Sequence, residues 1–244
     1  MSLQFLTTGF MWRSGICMAL SSACLWAMDE RPYDFDDLLL SASSAPVPKV
    51  KENTTDSSGV TTHYDWEGER SNGLEFTLAG KQGTTLESSG GWEYGIAVNV
   101  GNYNITPQSY VVAGNSYSNG STNMLYYRTL GIDVLGGYEY GLVDADDFHG
   151  FVEVTPILGL GLAQADNEVQ VNGTYSRKTG IGEYVDIGLR LGAFITESRW
   201  IYGVAITYQA SLGMVKISMP GGNSSNLHFV ASGLGFGFAA GYRF

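Results

Sequence analysis

The chain has 244 residues, 15% of them charged and 13% aromatic, with 33 glycines. That composition excludes a disordered chain and fits one domain, with or without a tail. Acidic residues outnumber basic ones 24 to 13, which argues against nucleic acid as a partner. No run of about 18 apolar residues follows the start, which excludes helical membrane spans. The mean hydropathy of −0.02 is what alternating apolar and polar positions produce.

Residues 1–27 read as a signal peptide. Arg13 is the positive flank, Ser14 to Trp26 the apolar run, and Ala27 a small residue suited to cleavage. A lipoprotein with Cys24 as the lipidated residue is the rival reading, although the usual upstream Leu is missing. Cys17 and Cys24 are the only thiols. Once this segment is removed, neither a disulfide nor a Cys-ligated metal site remains. Residues 28–58 change character. Five acids up to Asp37 precede Leu38-Leu39-Leu40, then a Ser, Ala and Pro stretch and a polar run follow. The expectation is a solvated linker, with the Leu triplet as a docking or plugging element in the alternative.

Residues 59–244 carry period-two alternation in eight segments. Val60, Thr62, Tyr64 and Trp66 alternate with polar neighbours, and Ser71-Asn72-Gly73 signals a tight hairpin. Leu74, Phe76 and Leu78 face away from Glu75, Thr77 and Lys81. Trp92, Tyr94, Ile96, Val98 and Val100 oppose Glu93, Ala97 and Asn99. The fourth segment puts Leu130, Ile132, Val134, Tyr138 and Tyr140 on one face, with Asp133 and Glu139 on the other. Arg128 shares the apolar parity and belongs near a membrane edge. The fifth sets Val154, Leu158 and Leu160 against Glu153, and its Pro156 marks a bulge or a misplaced boundary. The sixth sets Val185, Ile187 and Leu189 against Asp186 and Arg190. The seventh runs outward through Trp200, Tyr202, Val204 and Ile206. Polar stretches at 102–121, 164–180 and 215–225 read as long loops, with short turns near 82–90, 143–149 and 196–199.

The last segment ends the chain on an aromatic. Phe236, Phe238, Tyr242 and Phe244 share one face, against Gly235, Gly237, Gly241 and Arg243. This ending resembles the terminal strand of the small bacterial outer-membrane β-barrel family, OmpA-like or porin-like, with no subfamily identified. The resemblance is one of pattern over 59–244. It implies an all-β fold: a closed antiparallel up-and-down transmembrane barrel of eight strands, or ten if the 124–142 segment splits. It also implies a periplasmic place for residues 28–58. Outer-membrane lipid and lipopolysaccharide would surround the barrel, and the barrel-assembly machinery would read the C-terminal strand at Phe236, Phe238, Tyr242 and Phe244. The aromatics Trp92, Tyr94, Tyr138, Tyr140, Trp200, Tyr202, Tyr242 and Phe244 would form interfacial girdles.

The inward set is charged: Glu75, Glu93, Asp133, Glu139, Glu153, Asp186, Arg190 and Arg243, with Lys81. Unpaired charge in a narrow lumen is costly, so these groups pair or line water. The first expectation is a salt-bridged plug in a barrel with a structural or surface-recognition role. The alternative is a narrow cation-preferring channel, because acids exceed bases. Two enzyme resemblances are weaker. Omptin-like proteases use acidic pairs with an Asp–His pair at the outer rim, and Asp144 to His149 has those residue types at what reads as an inner turn. Lipid A deacylase-like barrels use a His–Ser pair, for which His228 and Ser232 share a face but have the wrong spacing. The expectation is no catalysis, no cofactor and no metal.

Overall fold

The computed structural model describes residues 36–67, 70–83, 90–118, 124–145, 148–171, 174–218 and 222–244. The expected signal peptide, residues 1–27, lies outside the described residues. Twelve strands form one antiparallel sheet. They are β1 (Asp37–Ser44), β2 (Lys49–Thr55), β3 (Thr61–Glu67), β4 (Arg70–Gly83), β5 (Gly91–Thr106) and β6 (Ser109–Val112). The others are β7 (Asn115–Ser118), β8 (Met124–Ala145), β9 (Phe148–Val171), β10 (Thr174–Glu197), β11 (Trp200–Ser218) and β12 (Ser224–Arg243).

Eight of them close a ring in the order β1, β4, β5, β8, β9, β10, β11, β12 and back to β1. The expected strand count therefore holds, but its first member differs. Residues 28–58 are not a linker throughout: β1 pairs with β4 through Leu40 opposite Leu78, and with β12 through Leu40 opposite Ala240. Leu38 and Leu40 face outward and are exposed, while Leu39 is buried inside. The Leu triplet is thus a piece of barrel wall. The expected first strand, 60–67, corresponds to β3, which stands outside the ring.

The remaining strands are continuations of ring strands past short interruptions. Ser43 faces Gly237 and Lys49 faces Val230 on the same strand. Six residues on one side thus span seven on the other, and β2 carries β1 onward past Ala45-Pro46-Val47-Pro48. The two prolines lack the N–H that a ladder needs. β3 runs back beside β2, and β6 and β7 extend the same flap. Residues 71–73 are no hairpin, because β4 passes straight through them: Gly73 pairs with Tyr103, and a Cβ at Gly73 would collide with the Tyr103 ring. The glycine is there for packing. The turn lies instead at 56–60, where Asp56 Oδ1 accepts from Ser58 N at 2.9 Å and Val60 N at 2.9 Å, and Gly59 has φ +85°. Ala113 (φ 50°) and Gly114 (φ 81°) close the β6–β7 hairpin, the left-handed pair that a two-residue turn requires.

The stretches read as long loops are largely strand. β9 runs to Val171, β10 starts at Thr174, and Met124 of β8 still faces Glu168. One end of the barrel therefore rises as extended hairpins. The other end carries the short connections and Phe244. Pro156 interrupts only its own neighbourhood. β8 and β9 pair Leu135 with Ile157 and Tyr138 with Val154, and the ladder skips the two positions between without losing register.

Every ring strand presents large apolar side chains outward, among them Leu78, Ile96, Ile132, Leu160, Ile187, Ile206 and Phe238, the last 75% exposed. A continuous apolar belt of this extent does not face water in a soluble protein. With closure removing every ring edge, it is the exterior of a transmembrane β-barrel. The named aromatics gather at the Phe244 end alone. Trp92 packs edge-on against Tyr138 at 5.3 Å, Trp200 against Tyr242 at 5.4 Å, and Tyr242 against Phe244 at 5.2 Å. They make one girdle rather than two.

A chain that starts at residue 59 lacks β1, and its ring has two open edges. After refolding in detergent it is expected to show no heat-dependent gel shift, whereas a chain starting at residue 36 keeps the shift. A folded, heat-modifiable 59–244 fragment would refute the closure by β1.

Candidate functional site

The lumen is built from alternate residues of eight strands, so its contents follow from parity. At the extended end it is filled by an apolar layer that includes Tyr103, Leu125, Tyr127, Leu227 and Phe229. The Tyr127 and Phe229 rings stack at 3.9 Å. Nearer the Phe244 end a second apolar layer joins Leu39, Leu135, Phe151, Phe194 and Ile201, with Phe151 stacked on Phe194 at 5.3 Å. Charged and polar groups occupy the space between and beside these layers.

All eight charged positions expected inside are there. Glu93, Asp133, Glu139, Glu153, Asp186 and Arg190 are buried, and Glu75 and Arg243 are half-buried. The bridging group of this network is a carboxylate. Glu153 accepts from Arg190 Nε at 2.9 Å and Thr155 Oγ1 at 2.9 Å, and it also pairs with Lys81. Lys81 reaches on to Glu93 at 3.1 Å. One carboxylate thus holds two cations, each from a different strand.

A second group closes the Phe244 end. Arg243 forks onto Asp37, Nε to Oδ1 at 2.7 Å and Nη2 to Oδ2 at 2.7 Å, and touches Glu139 at 3.2 Å. Bidentate geometry of this kind is the strong form of the pair. It also ties β12 to β1 across the closing seam. Asp37, Glu93 and Glu139 bring ligating oxygens within 4.8 Å of one another, a spacing that suits a metal ion. Arg243 and Lys81 already serve those three carboxylates. Asp37 escaped the sequence reading because it sat in the presumed linker. Only its parity with Leu39 signals an inward position.

The two candidate catalytic sets fare differently. Asp144 and His149 face each other across β8 and β9, with Nδ1 3.7 Å from Asp144 Oδ1 and Nε2 3.4 Å from Glu139 Oε1. They sit where β8 ends and β9 begins, at the Phe244 end and away from the extended rim. His228 and Ser232 share the outward face but stand four positions apart on one strand, roughly 13 Å. Nucleophile and base need hydrogen-bond reach, so they form no pair. His228 Nε2 meets Asn53 at 3.5 Å, and Asn53 meets His63 Nδ1 at 2.6 Å.

The outward face just above the belt holds another ion cluster. Asp166 accepts from Thr179 Oγ1 at 2.6 Å and Gln164 at 3.2 Å, pairs with Arg177, and lies 3.5 Å from Arg128. Arg128 is thus at the edge of the belt, as its parity indicated. Burial pushes the Asp166 carboxyl up, but the hydrogen bonds from Thr179, Arg177 and Gln164 outweigh it and hold the group below its ordinary 3.8. On the flap, Tyr64, Tyr110 and Tyr117 form a row of ring contacts at 5.7 and 5.5 Å across three strands.

No protein-family model matches the chain, and no curated protein matches its sequence. Among solved structures it is similar to the outer membrane protease OmpT of Escherichia coli, at 10% identity and TM-score 0.48, over 88% of this chain and 100% of that one. It is similar to the outer membrane protein OprG of Pseudomonas aeruginosa, at 12% identity and TM-score 0.42, over 88% and 99%. A third is Ail, the attachment invasion locus protein of Yersinia pestis, at 10% identity and TM-score 0.31, over 86% and 100%.

Glu153→Gln leaves Lys81 and Arg190 without their common counter-ion and is expected to destabilise the barrel by roughly 3–5 kcal/mol. Glu197→Gln, at the exposed end of β10, changes it by less than about 0.5 kcal/mol. Urea unfolding in vesicles followed by Trp fluorescence measures both. Asp166 has a lowered folded-state pKa, so its stabilising share is complete above pH about 4 and is lost as pH falls through the lower, folded value. The stability difference between the native chain and Asp166→Asn should therefore shrink on acidification below pH 4. A difference that stays constant down to pH 2 would show that the pairing does not hold the ionised form.

Proposed function

We propose that this is an integral outer-membrane β-barrel with a structural or surface-recognition role, its lumen held shut and its extended end serving as the contact face. The observation that carries this reading is the filled lumen. Two apolar layers and a salt-bridged network cross the path that a solute would take. Opening it would require unstacking Tyr127 from Phe229 and Phe151 from Phe194, as well as separating buried ion pairs. Eight-stranded barrels have just enough interior to be filled in this way.

The extended end carries the polar hairpins and the flap. Its flap carries Tyr64, Tyr110 and Tyr117 beside Ser, Asn and Thr, a combination suited to adaptable contacts. Outer-membrane lipid, lipopolysaccharide included, would surround the apolar belt, with Arg128 and Arg177 at its upper edge. The barrel-assembly machinery would read the C-terminal strand through Phe236, Phe238, Tyr242 and Phe244, all of which sit on the outward parity. Residues 28–36 would remain as a short periplasmic lead into β1.

A small cation-preferring channel is the second reading, favoured by the carboxylates Glu75, Asp133 and Asp186 in the middle of the lumen. Hydrolysis is the least supported, because Asp144 and His149 sit at the Phe244 end and His228 is out of reach of Ser232. Planar-bilayer recording of the refolded chain, after a heat-dependent gel shift has confirmed folding, separates the first two. The expected result is a silent membrane. Discrete cation-selective steps that change in Arg190→Ala would overturn the closed-lumen reading and establish the channel.

A further inference from the structure

The charges of the lumen do not balance evenly along its length. Toward the Phe244 end, Asp37 and Glu139 share Arg243, while Glu93 and Glu153 share Lys81 and Arg190. Further up, Glu75, Asp133 and Asp186 line one cavity of about 50 Å³. Among the described residues, no ion pair includes any of the three. Arg190 also lines that cavity; its Nε donates to Glu153 at 2.9 Å and its Nη2 lies 2.8 Å from the same carboxylate, so one base already paired elsewhere faces three acids.

Local geometry sharpens the contrast. Asn99 Nδ2 donates to Asp133 Oδ1, and Gln209 Nε2 donates to Asp186 Oδ2 at 3.0 Å. Asp186 is 4% exposed, yet its Oδ1 is buried with no hydrogen-bond partner. A Cβ at Gly159 would collide with both Asp186 Oδ1 and Asp133 Oδ1. Two carboxylate oxygens therefore converge over Gly159, where β9 carries no side chain. A buried acceptor left bare costs about 1–3 kcal/mol, and more when charged. Two facing carboxylates in a water-poor cavity cost more again.

We infer that this cavity binds one hard divalent cation, calcium by the chemistry of its donors, held directly between Asp133 and Asp186, with Glu75 on the same cavity wall reached through water. Both direct donors are carboxylate oxygens, the class that calcium prefers over nitrogen or sulfur. The cavity has room for a few waters to complete six to eight ligands. Two positive charges offset most of the three negative ones, beside which the lining base, Arg190, is already paired with Glu153. The apolar layers on either side make the ion an occluded one. It enters as the barrel folds and exchanges slowly afterwards.

The test uses the full chain, refolded in detergent micelles with either millimolar calcium chloride or EDTA, and the midpoint of heat-dependent gel shift as the readout. Calcium is expected to raise that midpoint by roughly 5–10 °C once it exceeds its dissociation constant a hundredfold. Asp186→Asn should abolish the calcium effect and, in EDTA, melt above the native chain because one buried charge is gone. Asp65→Asn, at an exposed acid, should keep the effect whole and so removes surface binding as the cause. If Asp186→Asn does not refold, Asp133→Asn carries the same expectations. Equal midpoints of the native chain in calcium and EDTA would overturn the site and leave the carboxylates sharing protons. A calcium shift that survives in the Asp186→Asn or Asp133→Asn chain would overturn it as well.

Discussion

The seam between β1 and β12 is what the rest of the barrel depends on. A bilayer offers no water to an unpaired N–H or C=O, and each such group costs several kcal/mol. Seven strands with two open edges would be insoluble in both solvents. β1 meets this constraint on both sides, pairing with β4 through Ser44 and with β12 through Ser43. The Arg243–Asp37 fork then ties the two sides of the seam at the rim. Because Arg243 is the penultimate residue and Asp37 opens the first strand, the ends of the fold hold each other.

Closure has an electrostatic consequence. Eight strands leave an interior about one side chain deep on each wall, so every inward charge meets the others at short range. Glu153 draws Lys81 from β4 and Arg190 from β10, and Lys81 reaches Glu93 on β5. The network ties strands that are not neighbours in the ring. It therefore fixes the cross-section, a task that backbone ladders between adjacent strands cannot perform. Thr155 adds a neutral donor to the same carboxylate, so the hub is satisfied from three sides.

Much of this was legible in the sequence, and the reasons are specific. Trp92 to Val100 alternates without exception, so the parity of Glu93 and Asn99 followed at once. The same rule put Asp133, Asp186 and Arg190 inside. It failed at β1 because three consecutive leucines hide a period of two. Leu39 is the inward member, and the inward neighbours Ser41 and Ser43 are small polar residues without a clear signal. Pro46 and Pro48 then made the segment read as linker, though they only interrupt a ladder that resumes at Lys49. Ser71-Asn72-Gly73 misled in the opposite direction. It is a strong local turn signal, overridden because Tyr103 on the paired strand needs the space above Gly73. The outer hairpins were missed because the pattern inverts there. Above the belt the outward residues turn polar, as at Asn102, Asn104 and Asn226, while the apolar ones, Ile105, Ile217 and Leu227, point inward.

Pairing partners were the least legible level. Parity says that a charge points inward but not how high it stands, and height depends on the register of all eight strands. An excess of acids over bases in the lumen was visible by counting. That the deficit falls on Glu75, Asp133 and Asp186, and not on Glu93 or Glu139, was not. It arises because Lys81 and Arg190 both turn toward Glu153, so that the base lining the upper cavity, Arg190, is already paired. Gly159 completes the arrangement. A side chain at this position would separate the facing strands, whereas here two carboxylates from β8 and β10 meet over bare backbone. Their convergence is thus a product of strand order as much as of residue type: a glycine on β9, placed between the strands on either side of it, decides which two acids face each other.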